Sequence, residues 1–237
     1  MDLLKLVKLE YRKNNISKYV RNAVILAFLL TVFILALAFL GIANDPDTGK
    51  LDAAPGNNVL SAPVELFTSM AFLIFTSVML SSFIVSAYKN KTMNLMFTYP
   101  IKRQKILASQ MLAVWIFNFA ALTLTKLVIY LCAAVGAHFR ETSFLLDYNI
   151  GSVTFYVQLL VKSAVIVSMS FIALFIGLAM KSSKAAIVTS FLLIFLTQAN
   201  VGDYTMADST VLPAVLIVVS LGFAFLSVCS AEKKDLI

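Results

Sequence analysis

The chain has 237 residues, 60% of them apolar, and a mean hydropathy of +0.91. Charged residues make up 13%, about half the share of a soluble domain, which excludes an ordinary soluble globular enzyme and points to an all-α polytopic membrane protein. The formal net charge of +7 raises nucleic acid as a partner, but the placement of the charges along the chain accounts for it without one.

Residues 1–22 come first. Leu3, Leu4, Val7 and Tyr11 recur at helical spacing, while Lys5, Lys8 and Arg12 share another face. That pattern predicts an amphipathic helix in the headgroup layer, its lysines toward anionic lipid. The remainder, 23–237, reads as one six-span domain. Span one covers 23–43, about 31 Å of helix and enough to cross a bilayer. Ala36-Leu37-Ala38 has a faint look of a cleavage site, but the apolar run continues past it, so an uncleaved span is expected. The loop 44–62 carries two decoys. Gly49-Lys50 lacks the Ser or Thr and the upstream Gly of a phosphate loop. Asp45, Asp47 and Asp52 lack the glutamate that closes a calcium loop. Span two covers 64–87, with Glu65 expected in its first turn, where a carboxylate favours the helix dipole. Span three covers 106–137, span four 153–180, span five 185–200 and span six 210–230. Cys132 and Cys229 both fall inside apolar runs and are expected to be free, buried thiols, with no disulfide framework or zinc spacing. Trp115 and the Gly residues at 136, 177 and 222 are expected to serve helix packing.

Six spans put both termini on one side. That side holds six Lys and Arg before span one, five between spans two and three, two after span four and two in the tail; the other side holds Lys50 and Arg140. The asymmetry predicts an N-in, C-in topology, and it explains the net charge.

The segment Tyr88 to Gln110, YKNKTMNLMFTYPIKRQKILASQ, holds five basic side chains and no acid. Met93 to Tyr99 is suited to a short helix that stays out of lipid, Pro100 stops it, and Ile101 to Ile106 leads back to the membrane. In order and spacing, Thr92, Met96, Pro100, Lys102-Arg103 and Ile106-Leu107 resemble the loop between the second and third spans in permease subunits of ABC transporters of the type-2 export class. Three positions depart from that pattern. Tyr88 and Lys89 stand where the family has an acid, Lys91 replaces a Gly, and Gln110 replaces a Lys. The likeness extends to chain length, span number and the basic N-terminal helix.

The resemblance implies that this loop is a cytoplasmic coupling helix, with Thr92, Met93, Met96, Tyr99, Pro100, Lys102 and Arg103 meeting a separate ATPase. It implies that residues 1–22 form an elbow helix beside that contact. It further implies two ATPase subunits carrying the ATP and Mg, a second permease subunit, identical or related, and a multi-pass location in the cytoplasmic membrane of a prokaryote. Small members of the family serve export of, or self-protection against, antimicrobial peptides and other amphiphiles. A second reading is a non-transporting membrane sensor or assembly factor that binds an ATPase.

Glu65, Lys126 and Lys162 are the charges within the spans, and all three fall near the outer headgroup level by helix length. Two readings stay open for the lysines. They snorkel to the outer interface, or they form a cationic lining at the outer mouth of a transport path, balanced by Glu65 and suited to an anionic or amphiphilic substrate. Nothing in the chain has the pattern of a catalytic site. There is no Ser/His pair, no His-Glu-x-x-His and no pair of membrane acids, so no catalytic residue, metal ligand or cofactor is assigned to this chain, and ATP hydrolysis is expected in a separate subunit.

Overall fold

A computed structural model describes residues 3–39, 60–85, 103–139, 151–198 and 211–233. Those residues form seven α-helices and, among them, no strand. They are α1 (Leu3–Lys13), α2 (Ile16–Phe39), α3 (Ser61–Leu80), α4 (Arg103–Phe139), α5 (Val153–Ala179), α6 (Ser183–Gln198) and α7 (Val211–Lys233). Four apolar stretches are long enough to cross a membrane: Ile16–Ala38, Ser61–Val85, Gln104–Gly136 and Val153–Ala179. That is the build of a multi-pass membrane protein. Two shorter apolar helical stretches, Ser183–Phe195 and Pro213–Cys229, accompany them.

Each apolar run anticipated from composition falls on one helix, but three details differ. The amphipathic helix ends at Lys13 rather than near residue 22. Asn14 and Asn15 form a turn, and Asn15 takes a left-handed backbone (φ 49°), which Asn tolerates better than most residues. The first long helix therefore starts at Ile16 and carries Lys18 and Arg21 in its opening turns. Glu65 lies in the second turn of α3, because the helix starts at Ser61. Both cysteines are free, but Cys132 is exposed and Cys229 only partly covered. An apolar run gives an all-round hydrophobic helix, and such a run does not say which side faces neighbours and which faces lipid.

Helix α5 is the hub, packing on α3, α4, α6 and α7. Helix α2 is peripheral: 17% of its apolar stretch is buried, against 67% for α3. Phe28, Leu29 and Val32 on α2 lie on the surface. The packed side chains form three stacked clusters. Ile34, Val64, Ile129 and Leu159 pack at one end. Phe72, Leu122, Val165 and Met169 pack in the middle. Met79, Leu107, Val114 and Leu174 pack at the other end, which is also where α1 sits; we call this end proximal and the opposite end distal.

Between helices in lipid, close approach and hydrogen bonding replace the hydrophobic drive. The α5–α6 hairpin shows the first. Helix α5 closes with the bonds Lys181 N–H to Leu178 O (3.3 Å) and Ser182 N–H to Gly177 O (3.1 Å). This is a Schellman closure, with Lys181 at φ 48° in the position Gly usually fills. The hairpin is so tight that a Cβ on Gly177 would stand 2.7 Å from Cβ of Ala186. Within the helices themselves, hydroxyls are satisfied locally. Thr68, Thr76, Thr125 and Ser170 bond back to carbonyls three or four residues earlier, so their hydroxyls enter an apolar interior already satisfied. At the proximal end of α3, Ser81–Val85 widens to a π turn. It is held from three sides: Tyr19 Oη and Ser82 Oγ are 3.0 Å apart, Ser81 donates to Ser183 O at 3.5 Å, and Gly177 lies against Val85.

Candidate functional site: charged groups at the two ends of the bundle

The proximal site is built by α1 on the first turns of α4. Leu6 and Val7 are buried, and so is Glu10, at 7% exposure. These three lie at i, i+1 and i+4, one face of a helix. The opposite stripe, Lys5, Lys8, Leu9 and Arg12, is exposed. Of the face expected from the sequence, Val7 is buried and Tyr11 partly buried, and an acid, Glu10, joins them at the contact. Glu10 is kept there by partners. Gln110 Nε2 donates to its Oε1 at 3.3 Å, Asn14 Nδ2 donates to its Oε2 at 3.2 Å, and Lys13 Nζ lies 3.9 Å away. Gln110 is itself fully buried. Beside it, Tyr11 Oη donates to Ala113 O at 2.7 Å, and burial raises the phenol's pKa above the ordinary 10.0. Helix α1 is thus bonded to two positions in the opening turns of the apolar stretch Gln104–Gly136.

The expected coupling residues Thr92, Met93, Met96, Tyr99, Pro100 and Lys102 lie outside the described residues. Arg103 opens α4. The described chain thus resumes at the last of the expected coupling residues, seven residues before Gln110.

The distal site brings together the three charges singled out within the spans. Lys126 Nζ donates to Glu65 Oε2 at 2.6 Å. The lysine side chain has no exposed surface, and the glutamate keeps 24%. Lys162, on α5, is partly exposed. In this arrangement Lys126 is enclosed, while Glu65 and Lys162 are partly exposed. A buried ammonium in apolar surroundings is expensive unless it is paired. The carboxylate of α3, one turn into its helix, supplies that pairing across 61 residues of sequence.

Polar contacts of three residues had no clear sequence signal. Trp115 Nε1 donates to Ser168 Oγ at 3.1 Å while its ring stacks on Phe119 at 5.1 Å. Asn118 is fully buried and donates to Val114 O at 2.9 Å and to Met79 Sδ at 3.4 Å. The Glu10–Gln110 bond is the third; its one hint was an acid alone on a basic helix, next to two apolar residues. Among the described residues, no group of three or more His, Cys, Asp or Glu is placed to hold a metal ion.

Comparison with known proteins places one relative beside this chain. It is 24% identical, over 98% of this chain and 100% of that protein, to the uncharacterized protein YcbO of Bacillus subtilis (strain 168). No family model matches the chain, and no solved structure matches it.

Proposed function

We propose that this chain is the membrane-spanning permease subunit of an ATP-driven exporter resembling the type-2 ABC class, a six-span protein with both termini in the cytoplasm. The observation that carries the reading is the basic segment 88–110, with Thr92, Pro100, Lys102-Arg103 and Ile106-Leu107 in the order of a coupling helix. The geometry at its exit supports it. Glu10–Gln110 and Tyr11–Ala113 tie α1 to the opening turns of α4, so a push on the segment before Arg103 moves an interfacial helix and a long membrane helix together. The two apolar helices α6 and α7 complete six spans with the four longer ones. ATP and Mg sit on a partner ATPase in two copies, and a second permease subunit completes the path. ATP drives such a cycle by favouring one arrangement of the permeases over the other. An antimicrobial peptide or a related amphiphile is the substrate class that the resemblance suggests.

The test is co-purification in mild detergent with a candidate ATPase from the same organism, comparing wild type with Lys102→Glu/Arg103→Glu. Association that is lost in the variant supports the reading. No association in either form refutes it. Hydrolysis stimulated by an amphiphilic peptide then separates a transporter from a non-transporting sensor.

A further inference from the structure

Helix α2 has an inward and an outward face, and the two are cleanly separated. Its buried residues are Ala23, Thr31, Ile34 and Ala38. On a helix of 3.6 residues per turn these fall within about 80° of one another. Lys18, Arg21, Ile25, Leu29 and Val32 fall within about 80° on the opposite side, and all five are exposed. Tyr19 fixes the rotation of the opening turns. Its hydroxyl is 3.0 Å from Ser82 Oγ, and its ring packs edge-on against Phe83 at 5.2 Å. The outward face therefore changes from two cations to a continuous apolar surface between Arg21 and Ile25, about 6 Å along the axis.

No described group neutralises those cations. Glu10 is the one acid between residues 3 and 39, and it is buried on α1 against Gln110 and Asn14. Among the described residues, neither Lys18 nor Arg21 has a hydrogen-bond or ion-pair partner for its side chain. Both lie inside Ile16–Ala38, long and apolar enough to cross a membrane, two and five residues from its start. Helical side chains lean toward the N-terminus. The stems of Lys18 and Arg21 thus lie along the apolar surface and carry their charges toward its proximal edge. Helix α1 offers charge without such a surface: Lys8 and Arg12 are exposed beside a single exposed apolar side chain, Leu9, among its described ones.

A ligand that covers the outward face of α2 needs an anionic head one helical turn from an apolar tail. We propose that this face holds an anionic phospholipid of the leaflet on the α1 side. Lys18 and Arg21 take the phosphate, and an acyl chain runs along Ile25, Phe28, Leu29 and Val32. The lipid site thus belongs to the opening of the first long helix. The apolar side of the amphipathic helix, Leu6 and Val7, is already buried in the bundle.

Native mass spectrometry of the full chain in detergent tests this, with an equal mixture of phosphatidylglycerol and phosphatidylcholine of the same acyl chains. The readout is the first lipid retained. Wild type retains phosphatidylglycerol over phosphatidylcholine by about 25-fold, about fivefold for each basic side chain near an anionic headgroup. Lys18→Gln/Arg21→Gln brings the ratio below about fivefold; both positions are exposed, so the fold is kept. Lys18→Arg/Arg21→Lys and Lys8→Gln/Arg12→Gln keep the wild-type ratio. Phe28→Ala/Val32→Ala lowers retention of both lipids and leaves their ratio unchanged. Equal retention of the two lipids by wild type overturns the proposal. So does an unchanged ratio in Lys18→Gln/Arg21→Gln, or an equal loss in the α1 variant. Glycerophosphoglycerol, the free headgroup, competes weakly; competition as potent as that of the lipid overturns the lipid assignment. Equal retention of the lipids, with a second copy of the chain released by Lys18→Glu/Arg21→Glu, assigns the face to a protein and overturns it too. None of these readouts involves an ATPase, so the outcome stands apart from the permease reading.

Discussion

Replacing Gly177 with Ala adds one methyl where the α5–α6 hairpin is tightest. The new Cβ would lie 2.7 Å from Ala186 Cβ and 3.4 Å from both Ala186 Cα and Val85 Cγ2. Carbon atoms in good contact stand about 3.5–4.0 Å apart, so the two helices must part locally by about 1 Å. None of the three atoms is the loose end of a long side chain: one is a Cβ, one is backbone and one is a methyl of a β-branched valine. Overpacking of this kind costs about 1–3 kcal/mol. Ala also gains about 1 kcal/mol over Gly in helix propensity, so the single variant loses about 0–2 kcal/mol net. Ala186→Gly alone loses about 1 kcal/mol in propensity and the burial of one methyl, about 0.8 kcal/mol. In the double variant the methyl has changed helices and the clash is gone. The double is therefore more stable than the sum of the singles by about 1–3 kcal/mol. Equilibrium unfolding in mixed micelles, read by far-ultraviolet circular dichroism across the four proteins, measures that coupling. Additivity within about 0.5 kcal/mol, or a stabilised Gly177→Ala, refutes the close-packed hairpin.

Lys126→Met leaves Glu65 without its partner. Breaking a fully buried pair costs about 3–5 kcal/mol; Glu65 keeps 24% exposure, and water reaching it reduces the loss to about 1–3 kcal/mol. The double variant Glu65→Leu/Lys126→Met recovers most of it, and the same unfolding assay shows the recovery as a midpoint returning toward wild type. The Tyr11 phenol, held above 10.0 by burial, binds its proton more tightly folded than unfolded. The docking of α1 is thus fully protected below pH 10 and weakens as pH rises through the folded value. Near-ultraviolet difference titration of wild type against Tyr11→Phe finds one phenol ionising late, and the extra alkaline destabilisation of wild type disappears in the variant.

The helices were legible in the sequence because uninterrupted apolar runs of spanning length have few other solutions. Ends were less so. The turn at Asn14–Asn15 is a backbone event in a stretch whose polarity changes gradually, and Glu65 looked terminal because Ser61 and Ala62 are not apolar enough to extend the run. The partners of charged groups were the least legible. That Glu65, Lys126 and Lys162 belong at one depth follows from counting helix rise. That Lys126 turns inward to Glu65 depends on the rotation of α3 against α4, and nearly uniform apolar helices leave that rotation unmarked. Glu10 and Gln110, 100 residues apart, meet for the same reason. In the sequence Gln110 stands only as a departure from a family pattern; in the fold it holds the acid of the N-terminal helix.

Helix α4 carries one contact near each end: Gln110 with Glu10, and Lys126 with Glu65. Sixteen residues of unbroken helix make a rod of about 24 Å between them. A rod of that length pivoting by about 5° at one end sweeps the other through about 2 Å, and a hydrogen bond formed at 2.6 Å does not survive such a sweep. Leverage is thus part of the architecture: a small rocking of the first turns of α4 reaches the far face as the making or breaking of a single ion pair, with no moving part between.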